Sequence, residues 1–452
     1  MANEAWPEVR LGDLCKLQAG SVFPPALQGK AHGTYPFAKV SDMNLAANMF
    51  CIRDANNWVD DADLQQMRAK PFPAGTTVFA KIGEGLKQNR LRYLVRETVI
   101  DNNMMGATPD TARLDPRFFV FALSRFNLGE IAGGTALPYL TVSALSDLTL
   151  PLLPLPEQRA IAHTLGMLDD KIELNRRMNE TLEAMARAIF KSWFVDFDPV
   201  RAKLALSEAE GAEGRQPFGM DVETAALFPD SFQDSALGKI PRGWTIKRLK
   251  DVAIRVTKGT TPTTLGKMFV AEGVNFVKVE SISETGCFIT ERFVHIDEET
   301  NELLARSVLQ EGDILYTIAG TIGRIARVPQ FILPANTNQA VAIIRPDRMQ
   351  VEPDFVRYSL ALPETKQRLL ARVVHAVQPN LSLGILGEVS LICPGSESMK
   401  RLFAPINAIS ASIEANKAQS RTLATIRDTL LPKLISGEIR VKDAEKFIGA
   451  TT

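Results

Sequence analysis

The stretch "EQRAIAHTLGMLDDKIELNRRMNETLEAMARAIFKSW", Glu157 to Trp193, contains no proline and a single glycine, Gly166. An unbroken run of this length constrains the fold more than anything else in the chain, because it demands a helix much longer than an ordinary core is wide. Alternating steps of four and three give Ile161, Leu165, Leu168, Ile172, Asn175, Asn179, Leu182, Ala186, Ile189 and Trp193. That is a heptad seam, and a seam needs a second helix to lie against. At ~1.5 Å per residue the helix is ~55 Å long. Pro156 suits the first turn and Glu157 the positive end of the helix dipole, while Pro199 in "DFDP" is expected to stop the helix.

The second helix is in the same chain. Adding 241 to each seam position gives Leu402, Ile406, Ile409, Ile413, Asn416, Ser420, Leu423, Arg427, Leu430 and Leu434; only Arg427 breaks the pattern, and Ile426 beside it can take over. The echo extends upstream of each helix. "WPEVRLGDL" resembles "WTIKRLKDV", "YPFAKVSDMN" resembles "VNFVKVESIS", and "FPAGTTVFAKIGEG" resembles "LQEGDILYTIAGTI". "ALPYLTVSALSDLTLPLLP" matches "VQPNLSLGILGEVSLICP", with Pro138 and Pro379 again 241 apart. The chain is therefore an internal duplication of a globular α/β unit followed by a long helix. Residues 201–243 between the halves are acidic and rich in small and turn-forming types, which reads as an irregular connector with room for a short helix.

Asparagines in a heptad seam cost stability but fix register. If the two helices pair antiparallel, Asn175 and Asn179 approach Asn416 and Ser420 near the midpoint. The pair is then a rigid rod holding two similar domains a fixed distance apart. Duplex DNA repeats every ~34–36 Å, so such a rod suits a split DNA site whose halves differ as the domains differ.

Bulk composition is permissive. At 452 residues two or more domains are expected. Lys plus Arg equals Asp plus Glu, 52 each, so any polyanion surface must come from local charge, as in "KIGEGLKQNRLRYLVR". Cys15, Cys51, Cys287 and Cys393 are scattered, which argues for buried reduced thiols over a zinc cluster or disulfide framework. No run reaches membrane-spanning length and "MANEAWPEVR" has no signal-like pattern, so a soluble cytoplasmic protein with no membrane partner is expected.

The segment "LPLPEQRAIAHTLGMLDDKIELNRRMNETLEAMARAIFKSWFVDFDPVRAK", followed by "GMDVETAALFPDSFQDSALGKIPRGW" and the final "LLPKLISGEIRV", resembles the specificity subunit of type I restriction-modification systems over nearly the whole chain. The resemblance implies an α/β fold with two target-recognition domains, each a mixed twisted sheet with short helices, joined by two long antiparallel helices as a coiled coil. Its boundaries would be 1–156 for the first recognition domain, 157–198 for the first helix, 199–242 for the connector, 243–396 for the second domain, 397–436 for the second helix and 437–452 for a tail. It further implies a non-catalytic chain that selects a bipartite, asymmetric double-stranded DNA site and docks two modification methyltransferase subunits, with restriction/translocase subunits joining them. S-adenosylmethionine, ATP and magnesium would belong to those partners, and this chain would bind no cofactor or metal. A duplicated scaffold for protein partners is the alternative, and a nuclease acting alone is a third reading.

The residues offer little for catalysis. There is no Asn-Pro-Pro-aromatic methyltransferase tetrapeptide, and "GTTPTTLGKM" has six residues between its glycines and Met268 where a phosphate loop needs Ser or Thr. His32, His163, His295 and His375 are dispersed, and the abundant carboxylates serve as caps and solvated turns.

DNA contact asks for Lys and Arg at phosphates, and for Arg, Lys, Asn and Gln at base edges. In the first half the loops combining these types supply Lys39 and Ser41, then Lys81, Lys87, Gln88, Asn89, Arg90 and Arg92, then Asn102 and Asn103. In the second they supply Lys258, Thr260 and Thr261, then Lys278 and Ser281, then Thr321, Arg324 and Arg327, then Asn336, Asn338 and Gln339. Lys39 and Lys278 are equivalent in the repeat and are assigned to phosphates. Gln88, Asn89 and Arg90 are assigned to bases of one half-site, with Arg324, Asn338 and Gln339 assigned to the other.

Overall fold

A computed structural model describes residues 6–134, 138–208, 220–375 and 379–451. The chain divides into two compact units, one of Met1–Asn179 with Glu414–Thr452 and one of Glu180–Ile413. Each therefore consists of one globular domain with half of each long helix. The helices span Leu155–Phe194 and Ser396–Ser436.

In the first unit a five-stranded sheet runs in the order Cys15–Ala19, Met104–Pro109, Thr77–Ala80, Leu91–Leu94 and Cys51–Ile52. Its pairings are antiparallel except the last, which is parallel. Beside it Tyr35–Ala38 pairs antiparallel with Trp58–Val59 and parallel with Val99–Ile100. The helix Pro116–Ser124 covers the larger sheet. Pro116 opens it, the carboxylate of Asp115 accepts from the backbone N–H of Arg117 and Phe118, and Phe118, Phe119, Ala122 and Leu123 form its buried face.

The second unit repeats this plan. A four-stranded antiparallel sheet runs Ala253–Lys258, Val341–Pro346, Ile314–Thr317 and Ile325–Arg327. Val274–Val277 pairs antiparallel with Val294–Ile296 and parallel with Ala335–Thr337, and the helix Pro353–Ala361 stands where Pro116–Ser124 stands in the first unit. Among the described residues, the fifth strand Cys51–Ile52 has no counterpart here.

In the first unit Ile161, Leu165, Leu168 and Ile172 are buried with Leu423, Ile426, Leu430 and Leu434 in the core beneath the five-stranded sheet. The antiparallel sense is visible in the polar contacts. The Asn175 amide donates to Gln419 Oε1 at 2.9 Å and Ser420 Oγ at 3.3 Å, and Asn416 Nδ2 donates to Asn179 Oδ1 at 2.9 Å. Arg427 reaches Asp169 at 2.7 Å, so Ile426 occupies the apolar position. Gly166 lets Arg117 lie against the helix, since a Cβ would come within 2.4 Å of the guanidinium carbon of Arg117, whose Nη2 donates to the Gly166 carbonyl.

The seam departs from strict heptads in the second unit. Ile189, Leu182 and Ile409 are only part-buried, while Ala186, Phe190 and Phe194 are buried at steps of four. A straight helix repeats every 3.6 residues, so the buried face drifts off a 3.5 spacing. Here a ring cluster draws it: Phe190 packs on Phe355 (5.7 Å) and Tyr358 (5.4 Å), and Phe194 on Phe403 (5.7 Å) and Trp244 (5.8 Å).

Other local expectations change too. Pro199 does not stop the long helix; that helix ends at Phe194, Phe197 turns the chain at φ +57°, and Pro199 sits in the first turn of a new helix, Asp198–Glu208. The segment between the halves is more regular than its composition suggests, with a helix Val222–Ala226 and a hairpin Phe232–Ser235/Gly238–Pro241; residues 209–219 lie outside the described set. The tail contains a helix, Val441–Thr451, whose Ala444 enters the first core. Cys287 is exposed, unlike Cys15, Cys51 and Cys393.

Candidate nucleic-acid interface

The loops at one end of each sheet converge in the same way twice. The strand Tyr35–Ala38 runs into Lys39, whose backbone N–H donates to Asp42 Oδ2 at 2.8 Å. Val274–Val277 runs into Lys278, whose N–H donates to Ser281 Oγ at 3.2 Å. Each lysine ammonium lies over a phenylalanine ring, Lys39 over Phe23 at 5.0 Å and Lys278 over Phe269 at 4.7 Å. The stacked ring restrains the stem while leaving the charge available.

Two further segments close on each lysine. In the first unit the Asp101 N–H donates to the Ala38 carbonyl at 2.9 Å and the Lys81 N–H to the Asn103 carbonyl at 2.9 Å. In the second, Thr337 Oγ1 donates to the Val277 carbonyl at 2.8 Å and the Ile318 N–H to the Ala340 carbonyl at 2.8 Å. A glycine makes the approach feasible in both. A Cβ on Gly20 would fall 2.2 Å from the Asp101 carbonyl oxygen, and one on Gly259 1.8 Å from that of Thr337. No side chain fits either gap.

The fourth segment is the loop containing the matched prolines. The Gly83 N–H donates to the Pro138 carbonyl and the Leu140 N–H to that of Lys81, and Leu381 makes the same bond to Ile318. Tyr139, half exposed, and Asn380, exposed, thus project from equivalent, backbone-tied positions. Neither was singled out from sequence. The signal was there in "PYL" against "PNL", where two constant residues flank one that changes.

The structure gives the sequence-derived candidates different roles. Lys39, Lys81, Asn102 and Asn103 come together in the first unit, and Lys258, Thr260, Thr261, Lys278, Asn338 and Gln339 in the second, with Thr261 donating to Gln339. Ser41 is exposed on the turn after Lys39, and Thr321 is exposed on the loop after Ile314–Thr317. Lys87 pairs with Glu84 at 3.0 Å; Gln88 is exposed, and Arg90 makes no ion pair among the described residues.

Six assignments are corrected. Asn89 has φ +46° and uses its whole amide internally, donating to the Phe126 carbonyl and accepting from the Leu128 N–H. Arg92 is largely buried and donates to the carbonyls of Asn48 and Leu91; burial lowers its pKa to about 10. Ser281 and Asn336 are fully buried, the first bonded to Lys278 and Arg292, the second to Asn301, Leu304 and Thr337. Arg324 donates to the carbonyls of Val279 and Ile282, and Arg327 pairs with buried Asp354 at 3.0 Å. These groups hold the loops in shape, and polarity in a sequence does not distinguish a strut from a probe.

Residues 3–184 match the family model described as the type I restriction modification DNA specificity domain. The HindI specificity subunit of Haemophilus influenzae is 29% identical over 421 residues, spanning 83% of this chain and 89% of that one. Over residues 3–184 the chain matches this DNA specificity domain, and along most of its length it is similar to type I restriction-modification specificity subunits. The MjaIX specificity subunit of Methanocaldococcus jannaschii is 23% identical across 97% of this chain and 94% of its own. The crystal structure of an S subunit from M. genitalium is similar at 16% identity and TM-score 0.49, covering 96% of this chain and 97% of that one. In this chain no helix among the described residues is long and apolar enough to cross a membrane.

Proposed function

We propose that each unit reads one half of a bipartite, asymmetric double-stranded DNA site through its convergent loops, and that the chain itself performs no catalysis. The observation that carries this reading is the duplicated apex: ties between the same segments, the same ring-stacked lysine and the same close-approach glycine occur twice, while the tips differ. A constant frame with Lys39 and Lys278 suits the phosphates, which are the same at every step, and variable tips suit base edges. On this reading the chain docks two modification methyltransferase subunits, which carry S-adenosylmethionine, and through them restriction/translocase subunits using ATP and magnesium. Met167, Leu174 and Met178 stand exposed at near-heptad spacing on the first long helix and supply an apolar face for such a partner.

The test is DNA retention by the chain co-purified with its modification partners, across salt and single-base variants. Lys39→Ala and Lys278→Ala should weaken all sequences alike and flatten the salt dependence, whereas Arg90→Ala should relax one base pair by ~1–3 kcal/mol. Absence of sequence-selective retention would leave the protein-scaffold reading in its place.

A further inference from the structure

The first unit contains a cavity of about 610 Å³ between the edge of its sheet, the helix Pro116–Ser124 and its two long-helix segments. Its wall includes Cys51 of the strand Cys51–Ile52, which among the described residues has no counterpart in the second unit. The volume is that of a small-molecule site.

Its charges are unevenly matched. Every acid on the wall is neutralised within the protein: Asp169 and Asp428 by Arg427 at 2.7 and 2.8 Å, Asp170 by Arg117 at 2.8 Å, and Glu173 by Arg176 and Arg177, each at 2.8 Å. Three lining arginines make no ion pair among the described residues. Arg92 donates to carbonyls alone, and the side chains of Arg53 and Arg125 make no hydrogen bond or ion pair. A cation held out of water beside neutral partners is costly, and Arg92 shows the strain as a pKa lowered by burial. Phe50, Phe121 and Leu431 add an apolar surface to the same wall.

The fold does not require this space. The strand register puts Arg92 where the second unit has buried Ala326, and the 241-residue repeat puts Leu431 where it has Phe190. There Phe190 packs on Tyr358 and Phe355, and the local arginine, Arg357, is clamped between Glu183 and Asp354. One copy packs rings and paired charge at this place, while the other keeps a hollow lined by three guanidinium groups without ion pairs.

We propose that the first unit binds a small organic phosphate of nucleoside-monophosphate size here, its phosphate on Arg53, Arg92 and Arg125 and its flat apolar body against Phe50 and Phe121. Guanidinium forks match a multi-oxygen dianion, and three of them exceed what a single carboxylate would need. The proposal is independent of the DNA reading.

The test is calorimetric titration of the full chain with adenosine monophosphate, adenosine and inorganic phosphate. Adenosine monophosphate should bind once per chain, at least ~10-fold more tightly than either fragment, because loss of a charge-assisted contact or of the apolar body each removes about that factor. The solvent-reachable double variant Arg53→Gln, Arg125→Gln should weaken it by ~10-fold or more without lowering the unfolding temperature of the free protein. Leu431→Phe, which imports the second unit's residue, should abolish binding while sequence-selective DNA retention persists. No saturable binding at millimolar concentration, equal binding of adenosine, or binding indifferent to both variants would each overturn the proposal.

Discussion

Replacing Asn175 with leucine should make the first unit more stable. The side chain is fully buried in the helix seam; its Nδ2 donates to Gln419 and Ser420, but its Oδ1 has no partner. A buried acceptor without a donor costs ~1–3 kcal/mol. Removing Nδ2 leaves little behind, because Gln419 is exposed and water can take its place, while Ser420 Oγ still donates to the Asn416 carbonyl at 2.9 Å. Leucine continues the apolar run from Ile172 and Leu423 and adds its own burial. Allowing for imperfect fit beside Asn416, the net gain is ~1–2 kcal/mol, or ~2–8 °C at ~2–4 °C per kcal/mol for a domain of this size. Calorimetry, with the second unit's transition as internal reference, reads the shift directly. If Asn175→Leu instead lowers the first unit's transition by the equivalent of ~1 kcal/mol or more, the amide is a satisfied structural group and the accounting fails.

Three further outcomes test other parts of the molecule. Arg357→Met should destabilise the second unit by ~3–5 kcal/mol in urea unfolding, since it leaves Asp354, 2% exposed, and Glu183 short of a partner. Burial raises both carboxyls, yet the charge of Arg357 holds them below the ordinary carboxylate range, so their contribution is present above the unfolded pKa values and lost as pH falls through the folded ones; the variant should show a shallower acid limb. Asp169 is the opposite case: burial outweighs Arg427 and raises its pKa from 3.8 to about 6, so its contribution is present below the unfolded value and lost as pH rises through about 6. Asp169→Asn should therefore match the wild type near pH 4 and exceed it by ~3 kcal/mol above pH 7, and parallel curves across that range would show the shift to be absent. Tyr139→Asn should change base preference in one half-site by ~1–3 kcal/mol and Asn380→Tyr in the other, measured by competition with single-base variants; a uniform loss across all sequences would make both residues backbone supports.

The duplication, the pairing of two long helices and the family resemblance were legible from one dimension because each is a pattern in residue order. Heptad spacing survives at a 241-residue offset, and "KVSDMN" and "KVESIS" keep their lysine because both end the same strand. The candidate interface was only half legible. Lys39 and Lys278 came from the repeat, but Asn89, Arg92, Arg324 and Asn336 were chosen for their chemistry, and what a polar group faces depends on chain hundreds of atoms away. Gly20 and Gly259 were invisible for a related reason: a glycine needed for a close approach has no local signature when the approaching backbone lies about eighty residues downstream.

Residue order was thus sufficient for the periodic properties, namely two similar halves and two rods with polar residues midway. Folding in three dimensions settled whatever depends on which distant groups become neighbours. It moved the buried face from Ile189 to Phe190, turned six supposed probes into struts, and left one copy hollow where the other is packed with rings. Periodicity follows from backbone geometry, which repeats along the chain, whereas burial and charge compensation are set by packing across it.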